Sequence, residues 1–306
     1  MQPISLVPND KIAIVAPSGR VFPNELNDGI QLIENWNFRA VKSKHLFEDF
    51  YFGYHYAGSV NQRTEDFQNA LDDENIRAIW FARGGYGAVH ILDKINWDKF
   101  LEKPKWLIGY SDITAIHNHV NNLGIKTLHA LTVKRLDTVY TPESFESIRT
   151  VLTGEKLKYE IEPHFLNCPG KAKGKLVGGN LSLIYSLIGS KSEIKGENLI
   201  LFIEDWCENW YHLDRMLTNL ERSGLTKRIS ALIAGSFTRM DLAEENPEFL
   251  SEYDSLSYKI IHNFIKKTNI PVCFGFPAGH IGDNRSLILG AEIEIVIQPN
   301  GVKIEF

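Results

Sequence analysis

The N-terminal half of the chain alternates short apolar runs with helical patterns. That alternation limits what the chain can fold into more than any other feature. "KIAIVA" at 11–16 ends at Pro17-Ser18-Gly19, "IRAIWFA" at 76–82 ends at Arg83-Gly84-Gly85, and "KWLIGY" at 105–110 ends at Ser111. Runs this short and this apolar read as strands buried on both faces. Between them, "NELNDGIQLIENW" places Leu26, Ile30 and Ile33 at helical spacing, and "NQRTEDFQNALDD" places Phe67 and Leu71 four apart. "AVHILDKI" reads as an apolar helix after the second run, and "AIHNHVNNLG" as a helix after the third, closed by Gly124. Strands alternating with helices of about 10–15 residues predict a parallel sheet covered on both sides.

The second half resumes the pattern with "KLVGGNLSLIYSLIGS", read as a strand, a Gly178-Gly179-Asn180 turn and a helix. "NLILFIED" and "ISALIAGSF" are further strands, and "LSYKIIHNFIKK" is an amphipathic helix. "YHLDRMLTNLERSG" gathers Leu213, Met216, Leu217 and Leu220 on one helix face and stops at Gly224. The end, "SLILGAEIEIVIQPNGVKIEF", is strand after strand, with Pro299-Asn300-Gly301 closing a hairpin. The rhythm lapses over 137–172, a helix followed by a polar, Pro- and Gly-punctuated stretch. The expected organisation is a doubly wound parallel α/β domain over 1–136, a crossover over 137–172 and a mixed α/β domain with antiparallel strands over 173–306. A chain of 306 residues suits two domains of about 100–200 residues each.

Composition narrows the function classes. A net charge of -5 without a Lys/Arg cluster argues against nucleic acid as a partner. No apolar run approaches the ~18 residues of a membrane span. "MQPISLVPNDKIAIVAPSG" lacks a basic segment followed by a long apolar one, so a cytoplasmic location is expected. Cys168, Cys207 and Cys273 are far apart, odd in number and without CxxC spacing, which makes neither a disulfide framework nor a zinc site. His117 and His119 point to different helix faces and no HExxH occurs, so neither a metal nor another cofactor is expected.

In open α/β sheets ligands bind beyond the carboxyl ends of the strands. Ser111 stands there with two readings. A strand-to-helix turn lifts a nucleophilic Oγ above the sheet beside free helix N–H groups, and the same position is a preferred N-cap. G-x-S-x-G is half met, since Ile113 replaces the second Gly, and position alone favours the cap. "RGGYG" at 83–87 is a phosphate cradle, an oxyanion donor or a plain tight turn, although no Walker or G-x-G-x-x-G spacing is present. Glu204 and Asp205 end a buried strand and bring at least one carboxylate to the ligand edge, whereas Glu208 fits ordinary helix N-terminal charge. His280, in "GFPAGHIGDN", is the histidine set in a Gly-rich loop after a strand, a placement suited to a proton shuttle.

Taken in order, "IVAPSG", "RGGYG", "GYSDIT", "GGNLSL", "LFIEDWCE…DRML" and "GFPAGH" resemble the L,D-carboxypeptidase family, also called muramoyltetrapeptide carboxypeptidases. That family includes microcin-inactivating serine hydrolases. The resemblance runs over nearly the whole chain. It implies a Ser-Glu-His triad of Ser111, Glu204 and His280, and an oxyanion hole made by the N–H groups of Gly85 and Asp112. It also implies a murein tetrapeptide substrate cut before its terminal D-alanine, and a homodimer. A carboxypeptidase binds a free carboxylate, for which Arg83, Gly179 and Asn180 are candidates. Rival readings are a hydrolase of peptidyl-nucleotide or other acyl conjugates with the same triad, and a two-domain protein that binds sugars or amino acids without catalysis.

Overall fold

The computed structural model describes residues 1–134, 140–241 and 253–306; the expected boundary at 136–137 lies outside them. All of β1 (Lys11–Val15) beyond its first residue is buried. Ile12 and Ile14 pack with Ile33 of α1 (Asn27–Asn35), while Ala13 and Val15 pack with Phe67 and Leu71 of α2 (Val60–Asp72). Helices therefore cover both faces, as the uninterrupted apolar run requires. Ser59 opens α2 by accepting from Gln62 N, with the Gln62 side chain returning to Ser59 N.

β2 (Arg39–Lys42) forms one edge, and β3 (Phe50–Tyr51) and β4 (His55–Tyr56) make a small antiparallel pair. β5 (Ile76–Phe81) leads to α3 (Val89–Leu92) and α4 (Asp98–Glu102), and β6 (Trp106–Gly109) leads to α5 (Thr114–Asn122) and β7 (Thr127–His129). α3 is a single turn. Ile95 reaches the same core from the turn that follows, which carries the apolar spacing beyond the helix.

In the second half, α6 (Pro142–Thr153) starts at a Thr141 cap and ends at Gly154 with φ 83°. β8 (Lys158–Ile161), β9 (Gly170–Asn180) and α7 (Leu181–Leu187) follow, then β10 (Leu199–Trp206), α8 (Trp210–Arg222) and β11 (Ile229–Thr238). The chain finishes with α9 (Ser255–Ile265), β12 (Val272–Phe274), β13 (Leu287–Leu289), β14 (Glu292–Gln298) and β15 (Gly301–Glu305). Gly178-Gly179-Asn180 is not a separate turn but the end of β9. A Cβ on Gly178 would lie 1.9 Å from Phe202 O, so glycine here serves a close approach of β10.

The first sheet has the order β13-β7-β6-β5-β1-β2 and the second β12-β11-β10-β9-β14-β15-β8. Strands β2, β1, β5, β6 and β7 run parallel, and β13 joins them antiparallel from the far end of the chain. The second sheet is parallel from β9 to β12 and antiparallel through β14, β15 and β8. β8 and the first residues of β9 thus fall within 137–172. One hydrophobic cluster contains Ile14 and Ile108 of the first sheet with Phe202, Ile233 and Ile295 of the second, so the two sheets share a core. The chain passes from β1 outward to β2 and then back across to β5, and this reversal opens a crevice at the strand ends. Among the described residues no helix is long and apolar enough to cross a membrane.

Candidate active site

Three loops meet at that crevice. Tyr110 leaves β6 extended, and Ser111, with φ 63°, is the first residue of a short 3-10 turn that runs into α5. A capping serine has β-region angles and accepts from a backbone N–H two or three residues on. Ser111 has neither, so it is not the cap that position alone favoured. A non-glycine residue with left-handed φ at a strand-to-helix turn is strained by roughly 1–3 kcal/mol. Its Oγ has no hydrogen-bond partner among the described residues.

Asp112 anchors the turn. Its buried Oδ2 accepts from Ser18 Oγ at 2.5 Å, in the loop after β1, and from Ala88 N at 2.8 Å, in the loop after β5. Burial pushes its carboxyl pKa up, against the pull of the Ser18 and Ala88 bonds. Arg63 of α2, also buried, donates to Gly58 O, Gly87 O and Pro17 O, and Gly19 N donates to Gly84 O at 3.1 Å. The Gly-rich loop is therefore held from several sides, with Gly85 at φ 104°.

The other wall comes from the second sheet. Against β11, the register of β10 shifts between Ile203 and Asp205, a bulge of the kind that re-aims side chains. Glu204 is fully buried, and its Oε2 lies 2.8 Å from His280 Nδ1. Gly279 permits this contact, because a Cβ there would sit 2.8 Å from Glu204 Oε2. The His280 ring lies 4.8 Å from that of Tyr110 and is stacked on Trp206 at 5.7 Å and 18°. The neighbouring Asp205 bonds instead to Asn180 Nδ2, Ser182 N and Trp206 N. Burial, then the Glu204 charge, push its pKa well up.

Ser111, Gly84 and Gly85 on one side, and His280 and Trp206 on the other, line a single cavity of about 530 Å³. Arg83 and Asn180 line it too. Arg83 donates to Arg20 O at 2.8 Å. Asn180 caps α7, with Oδ1 accepting from Leu183 N, and its own N–H donates to Thr114 Oγ1. Gly179 is not among the lining residues but packs on Thr114, where a Cβ would lie 2.5 Å from Oγ1. Sequence reasoning overlooked Tyr110, Trp206, Lys134 and Arg239 in the lining. The rule that singled out Ser111, position just after a strand, also finds Arg239 after β11. Among the described residues no three His, Cys, Asp or Glu side chains gather as metal ligands would, and Cys168, Cys207 and Cys273 are free thiols.

Residues 12–130 match the family model described as the LD-carboxypeptidase N-terminal domain, and residues 173–295 match that of the C-terminal domain. The probable murein peptide carboxypeptidase of Bacillus subtilis is 30% identical over 298 residues, covering 95% of this chain and 90% of the relative. Two solved structures have the same fold. One is the muramoyltetrapeptide carboxypeptidase from Oxalobacter formigenes, with a TM-score of 0.83 at 22% identity over 96% of this chain and 98% of that one. The other is MccF in complex with glutamyl sulfamoyl guanosine, with a TM-score of 0.85 at 21% identity over 99% and 98%.

Proposed function

This chain belongs to the LD-carboxypeptidase family, and on that premise we propose that it is a serine carboxypeptidase acting on murein tetrapeptides. It hydrolyses the L,D bond to the terminal D-alanine through Ser111, Glu204 and His280. The supporting observation is the buried Glu204 2.8 Å from His280 Nδ1, with His280 lining the same cavity as a strained Ser111 from the other sheet.

Ser111 Oγ attacks the scissile carbonyl as its proton passes to His280 Nε2. Glu204 accepts from Nδ1–H, which fixes the tautomer that leaves Nε2 free and stabilises the imidazolium. The N–H groups of Gly85 and Asp112 receive the oxyanion; one such donor is worth about 10²–10³ in rate. The imidazolium then protonates the leaving D-alanine nitrogen. A water deprotonated by His280 attacks the acyl-enzyme and releases the tripeptide. Hydrogen bonds of this kind are often long without substrate and tighten when it binds. Arg83 and Asn180 contact the substrate from the cavity wall, and Gly179 supports Asn180 through Thr114.

The test is mass spectrometry of products from a murein tetrapeptide and from a glutamyl-nucleotide conjugate, side by side, with wild type and Ser111→Ala. Release of D-alanine by wild type alone is expected. A Ser111→Ala variant with wild-type turnover refutes the nucleophile. Preferential cleavage of the conjugate moves the substrate assignment to the chemistry of the ligand in the MccF structure.

A further inference from the structure

The His280 wall of the cavity carries a cation that the triad does not use. β10 and β11 continue side by side past the sheet, with Cys207 N donating to Thr238 O at 2.9 Å and Asp241 N to Glu208 O at 2.8 Å. On this ledge Cys207 and Arg239 have φ of 68° and 51°. Left-handed backbone at a long side chain persists only where the surroundings impose it, and such strain gathers at ligand sites. The Arg239 guanidinium lies 6.0 Å from the centroid of Trp206, the ring that stacks on His280. Arg239 lines the cavity, and no carboxylate of a described residue lies within ion-pair distance of it. The other two cations in the lining are engaged on the Ser111 side: Lys134 pairs with Glu25 at 2.5 Å, and Arg83 donates to Arg20 O beside Gly84. Asp205 is the one carboxylate among the described lining residues, and its oxygens are already bonded within its own wall.

We infer that Arg239 receives the free carboxylate of the leaving amino acid, which makes this ledge the subsite that limits the enzyme to chain ends. The inference rests on the proposed triad. The imidazole gives its proton to the leaving nitrogen, so the leaving residue lies against His280. Its carboxylate carbon is two bonds from that nitrogen, about 2.5 Å away. Trp206 stacks on His280 and has the Arg239 guanidinium 6.0 Å from its centroid, so a planar, permanently charged fork lines the cavity that His280 also lines. Guanidinium matches a carboxylate with two parallel hydrogen bonds, and the indole face holds the cation without neutralising it. A peptide continuing past the leaving residue presents a neutral amide there instead.

The experiment compares two murein-type tetrapeptides, one ending in D-alanine and one in D-alanine amide, with wild type, Arg239→Asn and Arg239→Lys. Asparagine tolerates left-handed φ, so it removes the charge without adding strain. Wild type is expected to prefer the acid by about 10- to 100-fold in kcat/KM, mainly through KM, as suits a charge-assisted bond. In Arg239→Asn the preference falls to within about threefold, and Arg239→Lys restores part of it. Unchanged preference in Arg239→Asn, or equal loss on both peptides, overturns the inference. Wild type that cleaves through Ser111 without preferring the acid overturns it as well and leaves the triad standing. Wild type that cleaves neither peptide overturns it together with the murein-tetrapeptide substrate, and the conjugate assay with Ser111→Ala then decides the triad separately.

Discussion

Alanine at Gly84 tests whether the Gly-rich loop and Ser111 form one catalytic surface. The φ of Gly84 is outside the left-handed region, so alanine adds no backbone strain. Its Cβ would however lie 2.9 Å from Ser111 Cβ, 3.0 Å from Ser111 Oγ and 3.3 Å from Asp112 N. Carbon atoms rest at about 3.5–4.0 Å, so the two loops must part by roughly 0.6 Å or more. Neither is free to do so: Asp112 ties the serine turn to Ser18 and Ala88, and Gly19 N holds Gly84 O. Overpacking of this size lowers stability by about 1–3 kcal/mol. Misplacing a nucleophile by about 1 Å lowers the rate about 10²-fold. Loss of an oxyanion donor lowers it about 10²–10³-fold. Gly84→Ala is therefore expected to stay folded and lose at least about 10² in kcat, read by steady-state D-alanine release alongside thermal unfolding. Covalent labelling of Ser111 by a fluorophosphonate should slow in parallel. A folded variant with kcat within about threefold of wild type would refute the reasoning.

The Asp112 tether and the buried histidines give two more predictions. Asp112→Ala deletes the acceptor for Ser18 Oγ and Ala88 N, so kcat should fall at least about tenfold and stability by about 3–6 kcal/mol, from two charge-assisted bonds of about 1.5–3 kcal/mol each; wild-type kcat in that variant would show that the tether positions nothing. His117 is fully buried, with Nε2 2.8 Å from Gly109 O, and burial pushes its pKa down to about 4. The unfolded imidazole takes its proton near pH 6.5 and the folded one does not, so stability is full above 6.5 and falls as pH drops toward 4, by at most about 1.4 kcal/mol per unit. Urea unfolding at pH 7 and pH 5 should show a shallower pH dependence for His117→Asn than for wild type, and equal slopes would sink the assignment.

Some of this was legible before any tertiary contact was known. The uninterrupted apolar runs predict buried parallel strands, and the turn residues after them mark the crevice. His280 stood out because its loop is glycine-rich. Other features hid for definable reasons. "SLIL" read as a strand, but nothing local says that β13 pairs with β7 of the first sheet rather than with its own neighbours. The Gly178-Gly179 pair looked like a turn because glycine marks turns and close approaches alike. Glu204 and Asp205 are adjacent carboxyls of similar chemistry, and the bulge in β10 determines that Glu204 meets His280 while Asp205 bonds to Asn180. Arg239 belongs to none of the quoted motifs, and Trp206, although inside "LFIEDWCE", meets it only because two strand ends lie side by side.

Strand and helix type, the crevice-bordering loops and the kind of chemistry available were thus determined by the sequence itself, because periodicity and turn preference act over a few residues. Which side chains share a cavity was decided by the packing of two sheets on a common core. The contact of Glu204 with His280, and the place of Ser111, Arg239 and His280 in one cavity lining, depend on burial and register summed over the whole chain, and no local window contains that sum.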